Sequence, residues 1–565
     1  MNKRWMLLPS SSTHVINTLM QSMGVERAMA TLLAQKGITS FEEAKRYFRP
    51  SLSELHDPFL MKGMDKAISR LIAAISKQES ILLYGDYDVD GTTAVALVYR
   101  LLRQYYPNIQ FYIPDRHEEG YGVSRKGMDW AREASISLII TLDCGIKDIA
   151  NIQYAQEAGI DVIVCDHHEP GKELHPAFAV LDPKQNDCSY PFKELSGCGV
   201  GFKFLQAFLL RQAIPLEILY AHLDLLAISI ACDLVPLVDE NRILAYHGLQ
   251  QLNTKPSAGI AAMIQVGNLP TPMGISDLVF GIGPRFNAAG RISHAQLTVQ
   301  LLLAENIAQA LPLAHSLEAQ NGSRKEIDSI ITQEAIQLME AHGDRFPSTT
   351  VLFKEDWHKG VIGIVASRCI EYCYRPTIIL TAAGAKATGS ARSVAGYNIY
   401  EAISACADLL DRYGGHAFAA GVTLPVENIP AFQARFESIV ANTISPDMLI
   451  PIQHVDLWMP IEKLDDRFYR ILQQMEPFGN GNMKPVFISE VVVDRLQVIK
   501  EKHLKFIIKN LRTGKEIEAI GFGLVEAMTC LHHCKSFLMA YTVEPDHYYG
   551  EVGRWQLNVK GIQGV

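Results

Sequence analysis

The spacing of hydrophobic and polar positions changes character three times along the chain. Up to about residue 53 it is helical: residues 25–33 and 41–48 read as amphipathic helices, the second capped by Ser40. They predict a small prefix packed on the first large domain. From about Lys66 short apolar runs alternate with helical stretches. Strands are expected at Ile81 and over 109–113, 137–142, 161–164 and 177–181, with helices over 67–76, 92–105, 125–133 and 147–158. This alternation predicts a parallel sheet covered on both faces. In such sheets ligands gather beyond the carboxyl ends of the strands.

Residues 304–341 read as a helical connector, broken near Pro312 and at Asn321-Gly322. A second mixed lobe runs over 348–424. From about Pro451 the period becomes two, with short strands over 486–493, 504–508, 517–522, 536–542 and 554–559. Five strands with little helix predict an OB-like β-barrel. The expected architecture is α/β: a parallel-sheet domain (54–250) after the prefix (1–53), a helical connector with a substrate loop (251–345), a second α/β domain (346–440) and the barrel (450–565).

Composition bounds the class. A chain of 565 residues is too long for one core. Its 48% hydrophobic and 20% charged content is that of a globular protein, and no apolar run is long enough for a membrane span. The N-terminal apolar stretch ends too early, at Pro9, for a signal peptide. A net charge of -9 means that any nucleic-acid binding needs a local basic groove. The 10 cysteines are scattered, as in reduced cytosolic proteins. Cys530-Leu531-His532-His533-Cys534 has metal-ligand residue types but no second half to complete a zinc site.

The chemistry collects at the strand ends. Gly85-Asp86-Tyr87-Asp88-Val89-Asp90-Gly91 places three carboxylates after the first strand. By itself this is either a cation site or a solvated acidic turn capping a helix. The closing glutamate of an EF-hand loop is missing. Asp143-Cys144-Gly145 ends a further strand, Asp166-His167-His168 another, and Asp233 interrupts an apolar helix end. Carboxylates and imidazole without thiolates suit Mn²⁺ or Mg²⁺. There are ligands enough for two ions, with Asp143 as the bridge. Two such ions activate water for in-line displacement at phosphorus. Gly281-Ile282-Gly283-Pro284-Arg285-Phe286-Asn287-Ala288-Ala289-Gly290-Arg291 reads as a polar loop offering guanidiniums and an amide to a phosphate chain. In the second lobe, turns at Trp357-His358-Lys359-Gly360, Gly389-Ser390-Ala391-Arg392-Ser393 and Gly414-Gly415-His416 either cradle phosphates or merely pack tightly. Lys500, Lys502, His503 and Lys505 with Phe506 form a strand-binding groove or a solvated hairpin.

These motifs, in this order, resemble the DHH phosphoesterase superfamily, named for the signature standing here as Asp166-His167-His168. Many members carry a histidine where this chain has Tyr84, and the RecJ family, which the chain resembles after its prefix, is built with an aspartate in that role, here Asp86. The resemblance implies a DHH catalytic domain, a DHHA1 domain and a metal-dependent 5′-to-3′ exonuclease. It would degrade single-stranded DNA to mononucleotides in repair and recombination. The implied ligands of two ions, Mn²⁺ or Mg²⁺, are Asp86, Asp88, Asp90, Asp143, His167 and Asp233. Asp166 would orient a ligand and His168 would meet the scissile phosphate. Arg116, Ser390 and Arg392 would hold the 5′ phosphate, Arg285, Asn287 and Arg291 the adjoining backbone, and His358, Gly415 and His416 would complete the substrate surface. A helicase and a single-strand-binding protein are implied partners of a cytoplasmic monomer. The alternatives are a DHH-DHHA1 phosphodiesterase acting on oligonucleotides or cyclic dinucleotides, and a non-catalytic single-strand-binding scaffold.

Overall fold

The computed structural model describes residues 3–116, 118–173, 175–343, 347–509, 514, 516–528, 536–546 and 554–564. The cysteine-histidine cluster at 530–534 lies outside them. The chain forms two compact units. The larger comprises Leu7–Glu318 and His454–Val565, the smaller Met1–Met6 and Ala319–Gln453.

At the centre of the larger unit is a five-stranded sheet in the order Ile109–Tyr112, Ile81–Gly85, Leu138–Leu142, Asp161–Cys165, Ala179–Leu181. All its pairings are parallel. Strands Ile81–Gly85 and Leu138–Leu142 are buried throughout, as parallel strands covered on both faces must be. Leu83, Ile140 and Ile163 face the helices Met64–Ser76, Val89–Leu102 and Gly197–Arg211. Leu82, Tyr84, Ile139 and Val162 face Arg125–Glu133 and Ile149–Glu157. The chain leaves Ile81–Gly85 for one neighbour and returns to the other, so the strand order reverses there. That reversal opens a crevice at the carboxyl ends of Ile81–Gly85 and Leu138–Leu142.

The prefix does not belong to this core. Ile16, Leu19, Met29, Leu32 and Leu33 share one apolar cluster with Phe487, Leu504, Phe506, Met539 and Leu557 of the C-terminal sheet. The helical period marks which face is apolar but not which partner covers it. The C-terminal sheet has seven strands rather than five, in the order Leu457–Trp458, Phe487–Val491, Phe537–Pro545, Trp555–Gly564, Glu516–Gly521, His503–Lys509, Val493–Ile499. Phe506 is fully buried in that cluster and Lys505 pairs with Glu518 at 2.8 Å, so neither forms a stacking groove.

The smaller unit holds a second five-stranded sheet, ordered Arg412–His416, Ala419–Pro425, Lys386–Arg392, Thr377–Ala383, Thr350–Phe353. Helix Ile362–Tyr372 covers one face through Val365 and Ile379. Helix Ile429–Thr443 covers the other through Phe432, Leu380 and Val422. Three expectations change. Gly389-Ser390-Ala391-Arg392 is strand, not turn, and Gly414-Gly415-His416 ends another strand. The connector is one continuous helix, Ile307–His342, with Pro312 inside it. Fully buried Ala310, Ala314 and Leu317 flank the proline, and their packing offsets its cost of about 3 kcal/mol.

Candidate metal centre

The turn after Ile81–Gly85 starts the centre. Asp88 caps helix Val89–Leu102, its Oδ1 accepting from the Gly91 amide at 3.1 Å. Asp90 in the first turn points back into the crevice. It accepts from the Gly197 and Cys198 amides at 2.6 and 2.8 Å and from the Ser229 hydroxyl at 2.7 Å. Those amides are the amino end of helix Gly197–Arg211, so its dipole also faces this carboxylate. Asp143 follows Leu138–Leu142 with φ 63, a left-handed conformation that aspartate tolerates better than most residues. A Cβ on Gly197 would lie 2.5 Å from the Cβ of Asp143, so only glycine lets that helix end come this close.

Asp166 and the two histidines follow Asp161–Cys165. The Asp166 carboxylate accepts from the amides of Ile146 (2.9 Å), His167 (2.7 Å) and His168 (3.2 Å) and from His168 Nδ1 (2.7 Å). Burial alone would raise its pKa. The bond from His168, the charge of that ring and the Ile146 amide outweigh that and hold it well below the usual carboxylate range. His168, opposed by burial, is raised by the same bond. Its Nε2 lies 3.0 Å from the Tyr121 hydroxyl.

The decisive geometry is at His167. Its Nδ1 lies 2.9 Å from the Leu195 carbonyl oxygen, which can only accept, so Nδ1 carries the hydrogen. Burial lowers the pKa of this ring and keeps it neutral. Nε2 is then a lone pair, yet it faces Asp143 Oδ1 at 3.2 Å, Asp233 Oδ2 at 3.6 Å and Asp90 Oδ2 at 3.8 Å. Nε2, Asp143 Oδ1 and both oxygens of Asp86 are buried without a hydrogen bond. Acceptors aimed at acceptors in a buried site call for a cation between them. Each carboxylate pair about 4 Å apart costs roughly 4 kcal/mol at an effective dielectric of about 20. Among the described residues no Lys or Arg pairs with these carboxylates. Burial and mutual repulsion raise the pKa values of Asp86, Asp88, Asp143 and Asp233.

Ligand atoms come within 4.8 Å of one another in three overlapping sets: Asp86, Asp88 and Asp143; Asp90, His167 and Asp233; Asp143, His167 and His168. All six expected ligands therefore converge, and Asp143 belongs to two sets, as a bridging carboxylate would. The donors, oxygen with imidazole and no thiolate, fit Mn²⁺ or Mg²⁺. Tyr84 takes no part. It is fully buried on the opposite sheet face and accepts from the Ser124 amide at 3.0 Å.

The expected substrate residues divide. Arg116 stands over the Tyr87 ring at 4.9 Å, and its charge reaches Asp86. The segment expected to be a loop at 281–291 is helical, a π-turn Leu278–Ile282 followed by helix Gly283–Ile292. Asn287 and Arg291 stand four residues apart on one face, and the charge of Arg291 acts on Tyr87 in the acidic turn. Arg285 is on another face. It donates to Glu318 at 2.5 Å, to the Gly281 carbonyl at 2.7 Å and to that of Gly267 at 3.2 Å. In the smaller unit Ser390 and Arg392 share a strand face, with Arg392 Nη1 2.9 Å from Ser390 Oγ. A Cβ on Gly363 would lie 2.8 Å from Arg392 Nη2, so the amino end of helix Ile362–Tyr372 abuts this pair. His416 pairs with Ala419 and Ala419 with Arg392, which puts them in one cross-strand row; Gly415 lies one position away, on the other face. His358 Nδ1 accepts from the Gly360 amide at 3.1 Å before the same helix.

Sequence reasoning missed the roles of Ser229 and of the Gly197 and Cys198 amides. Ser196 followed by Gly197-Cys198-Gly199 was the available signal, a capping residue before a glycine-rich helix start. It also missed Asp182, buried at the end of Ala179–Leu181, whose Oδ2 has no partner and whose pKa burial and Asp166 push up to about 7.

Three family models match the chain: the DHH family N-terminal domain over residues 80–230, the DHHA1 domain over 347–442 and the RecJ OB domain over 455–561. The single-stranded-DNA-specific exonuclease RecJ of Bacillus subtilis is 38% identical over 90% of this chain, which spans 64% of that relative's length. The RecJ exonuclease of Escherichia coli is 33% identical over 92% of this chain and 93% of its own. The crystal structure of Thermus thermophilus RecJ with Mn²⁺ superposes with a TM-score of 0.85 at 27% identity, covering 100% of this chain and 80% of that one. A metal centre at the switch point, the three domain matches in order and this breadth of identity establish that the chain belongs to the RecJ family.

Proposed function

We propose that this protein is a metal-dependent exonuclease that removes mononucleotides from the 5′ end of single-stranded DNA, in DNA repair and recombination. The observation that carries the chemistry is the neutral His167 with its lone pair aimed at three carboxylate oxygens. Asp86, Asp88, Asp90, Asp143, His167 and Asp233 hold two ions, Mn²⁺ or Mg²⁺. When bound, such ions activate water and neutralise charge on the phosphoryl oxygens. The chain's own groups do the rest. Asp166 fixes the orientation of His168 and raises its pKa, so that His168 donates to the scissile phosphate. Asn287 and Arg291 hold backbone phosphates beside the acidic turn. Ser390 and Arg392, at a helix amino end, grip the terminal 5′ phosphate, with His358 and His416 around them.

The same reading makes the protein a cytoplasmic monomer that works with a helicase and a single-strand-binding protein. Among the described residues no helix is long and apolar enough to cross a membrane. The test uses Mn²⁺ with 5′- and 3′-labelled single strands, duplex and a dinucleotide. Stepwise 5′ release from single strands alone is expected. Preference for the dinucleotide, or binding without cleavage, refutes the assignment.

A further inference from the structure

Asp233 differs from Asp90 and Asp166 in how its carboxylate is held. Asp90 and Asp166 are each fixed by three or more hydrogen bonds. Among the described residues nothing donates a hydrogen bond to the Asp233 carboxylate. Its direction is set by the backbone, where helix Leu223–Cys232 ends with the Asp233 amide 2.9 Å from the Ser229 carbonyl. The next residue, Leu234, has φ 58, a left-handed conformation that a leucine does not hold by itself. Its side chain is 57% exposed, so apolar packing does not hold the turn either.

What does hold it is a segment more than two hundred residues away in sequence. Asn480 Nδ2 donates to the Leu234 carbonyl at 2.6 Å, and the Leu237 amide donates to the Asn480 carbonyl at 2.7 Å. One residue thus grips both ends of the turn that follows Asp233. Asn480 is itself held from behind. Arg242 donates to the Glu476 carbonyl at 2.9 Å, and Asn482 Nδ2 to the Met475 and Pro477 carbonyls at 3.0 and 2.8 Å. A Cβ on Gly479 would come 2.5 Å from Leu237 Cδ1, so the loop backbone lies directly against the Leu237 side chain. We infer that Asn480 is a positioning residue, clamping the left-handed turn at Leu234 so that Asp233 points into the metal centre. The docking of the Glu476-Pro477-Phe478-Gly479-Asn480-Gly481-Asn482 loop is thereby coupled to metal occupancy. This rests on Asp233 being a metal ligand.

The test measures Mn²⁺ bound by the full chain, read by electron paramagnetic resonance of the free ion, with melting temperature in EDTA as the control for folding. Wild type binds two ions. Asn480→Ala, at an exposed side chain, is expected to melt as wild type in EDTA yet bind one ion about 10-fold more weakly. Adding Leu234→Gly, which needs no clamp to keep the left-handed turn, recovers affinity. Asp233→Asn serves as reference. If it loses one ion while Asn480→Ala binds like wild type, the clamp is refuted and the metal assignment stands. If Asp233→Asn binds both ions unchanged, the metal assignment fails and the clamp with it. A loss in Asn480→Ala that Leu234→Gly does not recover is damage of another kind and also overturns the proposal.

Discussion

At the scale of single residues, the site is a set of like charges whose mutual cost the fold accepts. Asp143 sits in two of the three ligand sets, so its loss disturbs both ions. Asp143→Ala is expected to reduce cleavage at least about 100-fold while single-strand binding stays within a few-fold. Near-normal activity would remove the two-ion reading. A pH dependence follows from the same charges. In metal-free protein the pKa values of Asp86, Asp88, Asp143 and Asp233 are raised, so the folded chain keeps protons that the unfolded chain has lost. Stability therefore falls as pH rises from the ordinary carboxylate range through the raised values. His168, also raised, contributes stability that is lost as pH rises through its folded pKa. Asp166 is depressed, so its contribution is lost only as pH falls through its own low value. Melting temperatures in EDTA should decline as pH rises above the ordinary carboxylate range, and saturating Mn²⁺ should flatten that slope. An equal slope with and without Mn²⁺ would contradict it. The ligands themselves were legible in the sequence because each follows an apolar run in an alternating pattern. Their supports were not. Ser229 reaches Asp90 across 139 residues and the Gly197 amide across 107, and no local pattern records either pairing.

At the scale of elements, glycine-rich stretches were the ones misread. Gly281–Arg291 carries enough Gly, Pro and Asn to look like a loop, yet it is helical because Ile282, Phe286 and Ala289 are buried on one side. Gly389–Arg392 looks like a turn, yet it is the central strand between two antiparallel neighbours. There small residues let backbones and a helix end approach. The helical assignment separates two arginines that a loop would have made equivalent. Arg285 is nearly buried and bound to Glu318, which is about one-third exposed. Arg285→Ala should destabilise the protein by about 2 kcal/mol and leave affinity for single strands little changed below the melting transition. Arg291→Ala should weaken binding for all sequences alike and reduce the salt slope of log K by about 1. Melting curves and fluorescence anisotropy at several salt concentrations check both. Equal effects of the two substitutions on binding would show that the helix does not present one face to DNA.

At the scale of the molecule, the reversal of strand order explains why one sequence-level rule found the centre. The connections that leave Ile81–Gly85 and Leu138–Leu142 run to opposite faces of the sheet, and that opens a crevice beyond the strand ends. No comparable rule says which core a short amphipathic helix joins. The prefix precedes the catalytic sheet in sequence, but its apolar face completes the core of the C-terminal barrel. Leu19, Leu32 and Leu33 pack in one cluster with Leu504, Phe506 and Met539 of that sheet. The consequence is measurable. Leu33 is fully buried in this shared cluster and absent from the catalytic core, so Leu33→Ala opens a cavity costing about 3 kcal/mol in the barrel alone. Hydrogen exchange should quicken in His503–Lys509 and Phe537–Pro545 and stay slow in Ile81–Gly85 and Leu138–Leu142. The ends of the chain would then open as one cooperative body, though some four hundred residues separate them. If exchange instead rises in the catalytic strands first, the prefix supports the parallel sheet and not the barrel.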